Sequence, residues 1–151
     1  EKCSTAAELG ADDTINYRTE ADLAAAVRAA MGGAGVDVVY DGVGKDTFEA
    51  SLASLRPRGL LALYGAASGQ VPPFDLQRLN AAGSLFVTRP SLPHHIATPA
   101  ELAWRADDVL AAVAEGTLRV AVGGRYPLAE AAAAYADLES RRSQGKLLLI
   151  P

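Results

Sequence analysis

Cysteine is nearly absent from this sequence of 151 residues, which has a single thiol at Cys3. One cysteine excludes an internal disulfide and any zinc site built from several thiolates, and it suits a reducing cytoplasm, where we expect the protein to reside. Long apolar runs are also missing, since no stretch approaches the roughly 18 residues of a membrane-spanning helix. We therefore expect a soluble chain with no membrane span and no targeting segment.

Positive charge is scarce as well. The sequence has 14 lysines and arginines against 18 acidic residues, a formal net charge of −4. This balance provides no general basic field for nucleic acid, so no nucleic-acid partner is expected, although a local basic cluster could still receive a phosphate. The first residue is Glu1 rather than methionine, and a helix follows almost at once. We expect the chain to be part of a longer protein.

Short strands alternate with helices along the chain. Strands are predicted at "DTINY" (13–17), "VDVVYD" (36–41), "GLLALYG" (59–65), "SLFVTRP" (84–90) and "KLLLI" (146–150). The second and third are runs of apolar residues, a pattern typical of strands buried on both faces of a parallel sheet. The alternation predicts an α/β fold with a doubly wound, mostly parallel sheet.

Helix signals separate these strands. Thr19 and Asp22 resemble a capping box before a helix that stops at Gly32, and Asp46 with Glu49 predicts the start of another. Further helices are predicted at 75–83, from the capping box of Thr98 to Gly116, and over 126–145. In the helix after Thr98, a buried stripe is predicted for Leu102, Val109, Leu110 and Val113.

The segment "YDGVG" (40–44) raises the question of a dinucleotide fingerprint. Such a fingerprint needs G-x-G-x-x-G, but Thr47 occupies the third glycine position after Gly42 and Gly44. Taken alone, the two glycines indicate a tight turn. Three strand ends with small residues, "YDGVG", "LYGAASG" and "VTRPS", nevertheless favour a ligand cleft, because open α/β sheets bind ligands at the carboxyl ends of strands. Asp41 could act in catalysis or, more commonly for this position, in the turn.

Four segments, "GADDTINYR", "GVDVVYDGVGKDTFEASLASLRPRG", "GSLFVTRPSL" and "RYPLAEAAAAYADLESRRSQGKLLLIP", resemble zeta-crystallin-like quinone oxidoreductases of the medium-chain dehydrogenase/reductase superfamily. The resemblance implies a Rossmann-like domain that is incomplete here, because its first two strands and glycine-rich loop would precede Glu1. Residues 1–120 would form the distal part of this domain, and residues 121–151 would return towards a catalytic domain outside this chain.

The resemblance also implies NADPH as cofactor. The corresponding residues are Lys2, Tyr17, Gly42, Leu63, Tyr64, Gly65, Ala66, Arg89, Pro90, Ser91 and Arg141. Lys2 and Tyr17 would meet the adenosine 2′-phosphate, and the segments around Tyr64 and Arg89 would hold the nicotinamide end. At Gly42 relatives commonly carry serine, so backbone contact would replace a hydroxyl. Without the resemblance, these positions read as a solvated lysine, a strand-end tyrosine and ordinary turns.

The activity implied is transfer of hydride from NADPH to a quinone or related conjugated carbonyl, without zinc. His94 and His95 lack a partner at metal-ligand spacing, and no G-x-S-x-G elbow suggests a hydrolase. No catalytic side chain is assigned. Two alternatives remain: reduction of enals or enoyl thioesters by the same superfamily, and a non-catalytic nucleotide-binding scaffold or interaction fragment. A homodimer is expected through strand 84–90.

Overall fold

A computed structural model describes residues 2–140 and 142–151. Its helices are α1 (Lys2–Glu8), α2 (Leu23–Ala30), α3 (Phe48–Ser54), α4 (Gln77–Ala81), α5 (Leu92–His95), α6 (Pro99–Ala114) and α7 (Ala131–Glu139), with a 3₁₀ turn at Leu128–Glu130. Its strands are β1 (Val36–Asp41), β2 (Leu55–Leu63), β3 (Phe86–Thr88), β4 (Val122–Pro127) and β5 (Lys146–Ile150). Among the described residues no helix combines the length and apolarity needed to cross a membrane.

The chain divides into two compact units, Glu1–His94 and His95–Pro151. The domain boundary expected near residue 120 concerns the organisation of a whole protein, and it stays a prediction.

The first unit contains a parallel sheet in the order β1-β2-β3. One face is covered by α3, which buries Phe48 and Leu52 one turn apart, as the helical period requires. The core consists of Phe48, Leu52, Leu55, Leu61, Leu63 and Leu85. The predicted α/β class with parallel strands joined by helices is confirmed.

Strand β2 begins earlier than predicted, at Leu55 instead of Gly59. It follows α3 without a loop, and its pairing with β1 shifts between Val36 and Val38. Arg58 lies in the left-handed region at φ 62°. The segment "RPRG" (56–59) lies within this irregular strand.

Two predictions about the first unit's edge are wrong. Residues 13–17 form no strand, because no described strand lies beside them to complete the hydrogen-bond ladder. Strand β1 is not buried on both faces: the exposed fractions of Val38 and Tyr40 are 38% and 76%. As an edge strand, β1 has β2 on one side and no described strand on the other.

The caps of α2 and α3 also differ from prediction. Asp22, not Thr19, is the N-cap of α2, and its carboxylate accepts a 2.9 Å hydrogen bond from the Ala25 amide. Thr19 instead donates its hydroxyl to the Asn16 carbonyl in a preceding turn. Thr47 is the N-cap of α3 and makes no side-chain bond to the helix amides. Its hydroxyl is committed to Asp41 instead.

In the second unit, α6 begins as predicted, with the complete capping box of Thr98 and Glu101. The predicted buried stripe is wrong, since Leu102, Val109, Leu110 and Val113 are 40% to 64% exposed. An amphipathic period shows that a helix can bury one face, but burial also requires a packed partner surface.

Strand β4 is absent from the sequence prediction, and α7 is correspondingly shorter than the helix predicted over 126–145. β4 pairs in parallel with β5, which lies where "KLLLI" predicted a strand. Gly123 and Gly124 weaken the strand pattern of β4, because glycine is uncommon inside strands. Gly123 is required for close packing, since a Cβ there would stand 1.6 Å from the Gln144 carbonyl oxygen.

Candidate functional site

The carboxyl end of β1 is held by a buried carboxylate. Asp41 is 4% exposed and accepts hydrogen bonds from the amides of Val43 and Gly44, at 2.8 and 3.0 Å. The hydroxyls of Thr47 and Ser51 donate to it at 2.9 and 2.8 Å. These four donors tie the end of β1 to the beginning of α3. Asp41 therefore has the turn role, one of the two roles that its position suggested.

The surroundings of Asp41 keep its carboxylate ionised. Burial raises the pKa of Asp41, but hydrogen bonds from the Gly44 amide and the hydroxyls of Ser51 and Thr47 lower it by more. The pKa of Asp41 therefore lies below the ordinary aspartate value of 3.8. A carboxylate with these partners is a poor proton donor at neutral pH. Its contribution is to fix the turn that carries Gly42 and Gly44.

The turn after β1 packs directly on the loop after β2. The amides of Tyr64 and Gly65 donate to the Asp41 carbonyl at 2.9 and 3.2 Å, and the Ser68 amide donates to the Val43 carbonyl at 2.8 Å. A Cβ at Gly65 would lie 2.2 Å from the Gly42 carbonyl oxygen. Only a residue without a side chain permits this approach, so the two predicted strand-end segments meet backbone to backbone.

The third strand end lies beside the second. Ala62 of β2 pairs with Thr88 of β3, so Leu63–Ala66 and Arg89–Ser91 leave the sheet at the same edge. Arg89 is exposed, and among the described residues its guanidinium donates a single long bond of 3.4 Å, to the Pro90 carbonyl. The predicted residues therefore lie at or just after the ends of three adjacent parallel strands: Gly42, Leu63, Tyr64, Gly65, Ala66, Arg89, Pro90 and Ser91.

Tyr17 has no hydrogen bond to these three strand ends within the described part of the chain. Tyr17 lies in a hollow between α2 and α3 that also contains the carboxylates of Glu20, Asp22, Asp46 and Glu49. That lining does not favour a phosphate. Neither this hollow nor a second one at Arg125, Tyr126, Pro127, Ile150 and Pro151 includes Tyr64 or Arg89.

Lys2 is exposed at the start of α1. The prediction that Lys2 and Tyr17 meet a 2′-phosphate is not tested by these contacts, and it stays a prediction. Arg141 lies outside the described residues.

One supporting contact was missed from the sequence. Arg78 of α4 forms a salt bridge with Glu49 of α3, and its guanidinium lies 4.7 Å from the ring centre of Phe74. That ring packs edge-on against Phe48 at 5.2 Å between centres. Together they anchor the far end of the loop that begins at Tyr64. Because Glu49 and Arg78 are 29 positions apart, no local sequence pattern could reveal the pair.

Comparison with known proteins identifies the family of this chain. The family model for the zinc-binding dehydrogenases matches residues 9–149. The chain belongs to this zinc-binding dehydrogenase family. Despite the family's description, no three histidine, cysteine, aspartate or glutamate side chains within the described part of the chain are grouped so as to hold a metal ion. These residues thus do not fit a zinc site.

Several relatives of this chain are named for reductions. A 2-haloacrylate reductase from a Burkholderia species is 45% identical over 152 residues, covering 100% of this chain and 45% of that protein. The structure of Escherichia coli quinone oxidoreductase complexed with NADPH has a TM-score of 0.94 at 45% identity, covering 99% of this chain and 46% of the other. A mycobacterial protein complexed with NADPH has a TM-score of 0.92 at 53% identity, with coverage of 99% and 46%.

These findings confirm the resemblance to quinone oxidoreductases and the Rossmann-like fold drawn from the sequence. The chain spans about half the length of the curated relatives it matches.

Proposed function

We propose that this chain forms the cofactor-binding part of an NADPH-dependent oxidoreductase, which transfers hydride to a quinone or related conjugated carbonyl. The observation that carries the proposal is the meeting of three parallel strand ends at one edge, where Gly42 and Gly65 bring two turns into backbone contact. Parallel α/β sheets bind ligands at such edges. Two similar solved proteins, at 53% and 45% identity, hold NADPH.

The residues at this edge fit a dinucleotide. Gly65 and Ala66 leave little side-chain bulk at this end of the sheet, and the exposed residues Arg89 and Ser91 present side-chain donors. Arg89, exposed at the end of β3, is suited to a phosphate or carboxamide oxygen. Lys2 and Tyr17 are the residues proposed to contact the adenosine end of the cofactor.

The bound cofactor supplies the hydride. The chain's own residues position the nicotinamide and limit its contact with water. Asp41 does not act as the acid, because four donors occupy its buried carboxylate. We propose that protonation of the product draws on groups outside this chain, in the part of the protein that completes the substrate pocket.

A conjugated acceptor is favoured by the relative named as a 2-haloacrylate reductase. A 2-haloacrylate is an alkene conjugated with a carboxylate. Hydride adds to the electron-poor carbon of such an alkene, as it does in an enone or a quinone. Reduction of enals or enoyl thioesters is therefore the second candidate function. The proposed setting is cytoplasmic, without zinc, as a homodimer joined along β3.

The decisive experiment titrates the natural full-length protein with NADPH, following nicotinamide fluorescence, and then adds a quinone, an enone or 2-chloroacrylate. Saturable binding followed by NADPH oxidation with one of these acceptors supports the proposal. Binding without oxidation of NADPH by any acceptor would favour the non-catalytic scaffold. Failure to bind NADPH would refute the cofactor assignment itself.

A further inference from the structure

The space above Gly42 is already filled by another residue's side chain. A Cβ built at Gly42 would stand 2.7 Å from the hydroxyl oxygen of Tyr64 and 2.9 Å from the adjoining ring carbon Cζ. Real Cβ contacts essentially never fall below 3.0 Å. Gly42 is not among the residues with positive φ, so its backbone conformation is open to alanine. What keeps a side chain out of position 42 is the phenol of Tyr64.

The backbone of Tyr64 is fixed where this contact requires it. Tyr64 is the first residue after β2, and its amide donates a 2.9 Å hydrogen bond to the Asp41 carbonyl, immediately before Gly42. Its side chain is nevertheless 58% exposed. Within residues 2–140 and 142–151, the structure gives its hydroxyl no hydrogen-bond partner. The ring therefore spans from β2 to the end of β1 and presents a free hydroxyl there.

We propose that Tyr64, whose phenol occupies the space that a side chain at position 42 would fill, donates its hydroxyl hydrogen to a ribose or phosphate oxygen of the bound dinucleotide. This inference rests on the proposed function and deepens it. Positions 42 and 64 act as one unit, because a side chain at 42 and the phenol of Tyr64 compete for the same space. Tyr64 is thus a cofactor-binding residue through its hydroxyl as well as through its backbone.

The first test removes only the hydroxyl. In the natural full-length protein, Tyr64→Phe is expected to raise the NADPH dissociation constant about fivefold, the effect of losing one hydrogen bond. Nicotinamide fluorescence measures the constant without turnover. Tyr135→Phe is the matched control, because Tyr135 is similarly exposed at 63% and lies on α7; its dissociation constant should equal that of the unsubstituted protein.

The second test examines the coupling. Gly42→Ala should displace the exposed phenol rather than unfold the chain, since the crowded atoms belong to the end of a side chain. Its dissociation constant should also rise about fivefold, with the thermal midpoint nearly unchanged. In the Gly42→Ala background, the added Tyr64→Phe change should alter the constant less than about twofold, because the hydroxyl has already been displaced.

The outcomes separate this inference from the proposed function. An unchanged dissociation constant for Tyr64→Phe overturns the inference while NADPH binding by the unsubstituted protein upholds the function. A full fivefold effect of Tyr64→Phe in the Gly42→Ala background overturns the coupling. No NADPH binding by the unsubstituted protein refutes the proposed function itself.

Discussion

The hydroxyl of Ser51 in α3 donates a 2.8 Å hydrogen bond to the buried carboxylate of Asp41 at the end of β1. The Thr47 hydroxyl and the amides of Val43 and Gly44 donate to the same carboxylate, so Asp41 connects β1, the following turn and α3. Asp41→Asn places an amide among donors and should reduce the free energy of unfolding by about 1–3 kcal/mol, measured by urea denaturation at pH 7. Asp46→Asn, at an exposed neighbouring carboxylate, should change it little.

The Asp41 effect should depend on pH with a definite sign. The folded-state pKa is lower than the ordinary value of 3.8, so the carboxylate stabilises the fold above 3.8 and loses that contribution as the pH falls through the folded-state pKa. The difference between the unsubstituted protein and Asp41→Asn should therefore shrink below pH 3.8 in parallel denaturation series. A difference that grows on acidification would contradict this assignment.

The backbone contact at Gly65 should be intolerant of a methyl group. Gly65→Ala would bring a Cβ within 2.2 Å of the Gly42 carbonyl oxygen, so the two turns must separate, at a cost of at least about 1–3 kcal/mol. Thermal unfolding and NADPH fluorescence should both show losses. The control is Gly116→Ala, which meets no atom within 4 Å and bears only the strain of φ +76°. Equal losses in both variants would show that the close approach is unimportant.

Arg28 connects α2 to the end of α3. Its Nε donates to the Ala53 carbonyl at 2.8 Å and an Nη donates to the Leu55 carbonyl at 2.9 Å. Arg28→Met should lower the free energy of unfolding by about 1 kcal/mol or more. Arg28→Lys should recover only part of that stability, because an ammonium lacks the planar guanidinium that bonds both carbonyls. Urea denaturation measures both. Arg18→Met, at an exposed arginine, serves as control; a loss matching that of Arg28→Met would contradict the tether.

Lys2 tests the proposed contact with the 2′-phosphate. Lys2→Gln in the full-length protein should raise the dissociation constant for NADPH about fivefold, since a charge-assisted bond is lost. The constant for NADH, which lacks that phosphate, should stay unchanged. Lys146→Gln on β5 is the control. Equal weakening for both cofactors would argue against a phosphate contact.

Strand β3 tests the proposed dimer. It forms one edge of its sheet, and Phe86 is 61% exposed. Phe86→Pro removes a backbone donor from β3 and should convert the dimer to a monomer in light scattering. Phe86→Leu keeps the amide and an apolar side chain and should remain dimeric. If the proline variant also remained dimeric, the interface would lie elsewhere.

The sequence by itself determined the elements whose signals are local. The apolar run at 36–41, the capping box of Thr98 and Glu101 and the strand at 146–150 depend on neighbours within a few residues, and all three are confirmed. The small residues at three strand ends predict a ligand cleft; the structure places the three ends side by side, and the cleft itself stays a prediction. The proposal of NADPH as cofactor came from the family motifs, because no local pattern identifies a cofactor.

Only the tertiary structure decided which signals are satisfied. Residues 13–17 have strand character, but no strand in the described part of the chain pairs with them. Helix α6 has an apolar stripe that stays exposed, because burial, like pairing, requires a second surface. The phenol of Tyr64 above Gly42 and the Arg78 salt bridge with Glu49 join residues more than 20 positions apart. Such contacts arise from the parallel order of the strands, which brings distant turns to one edge.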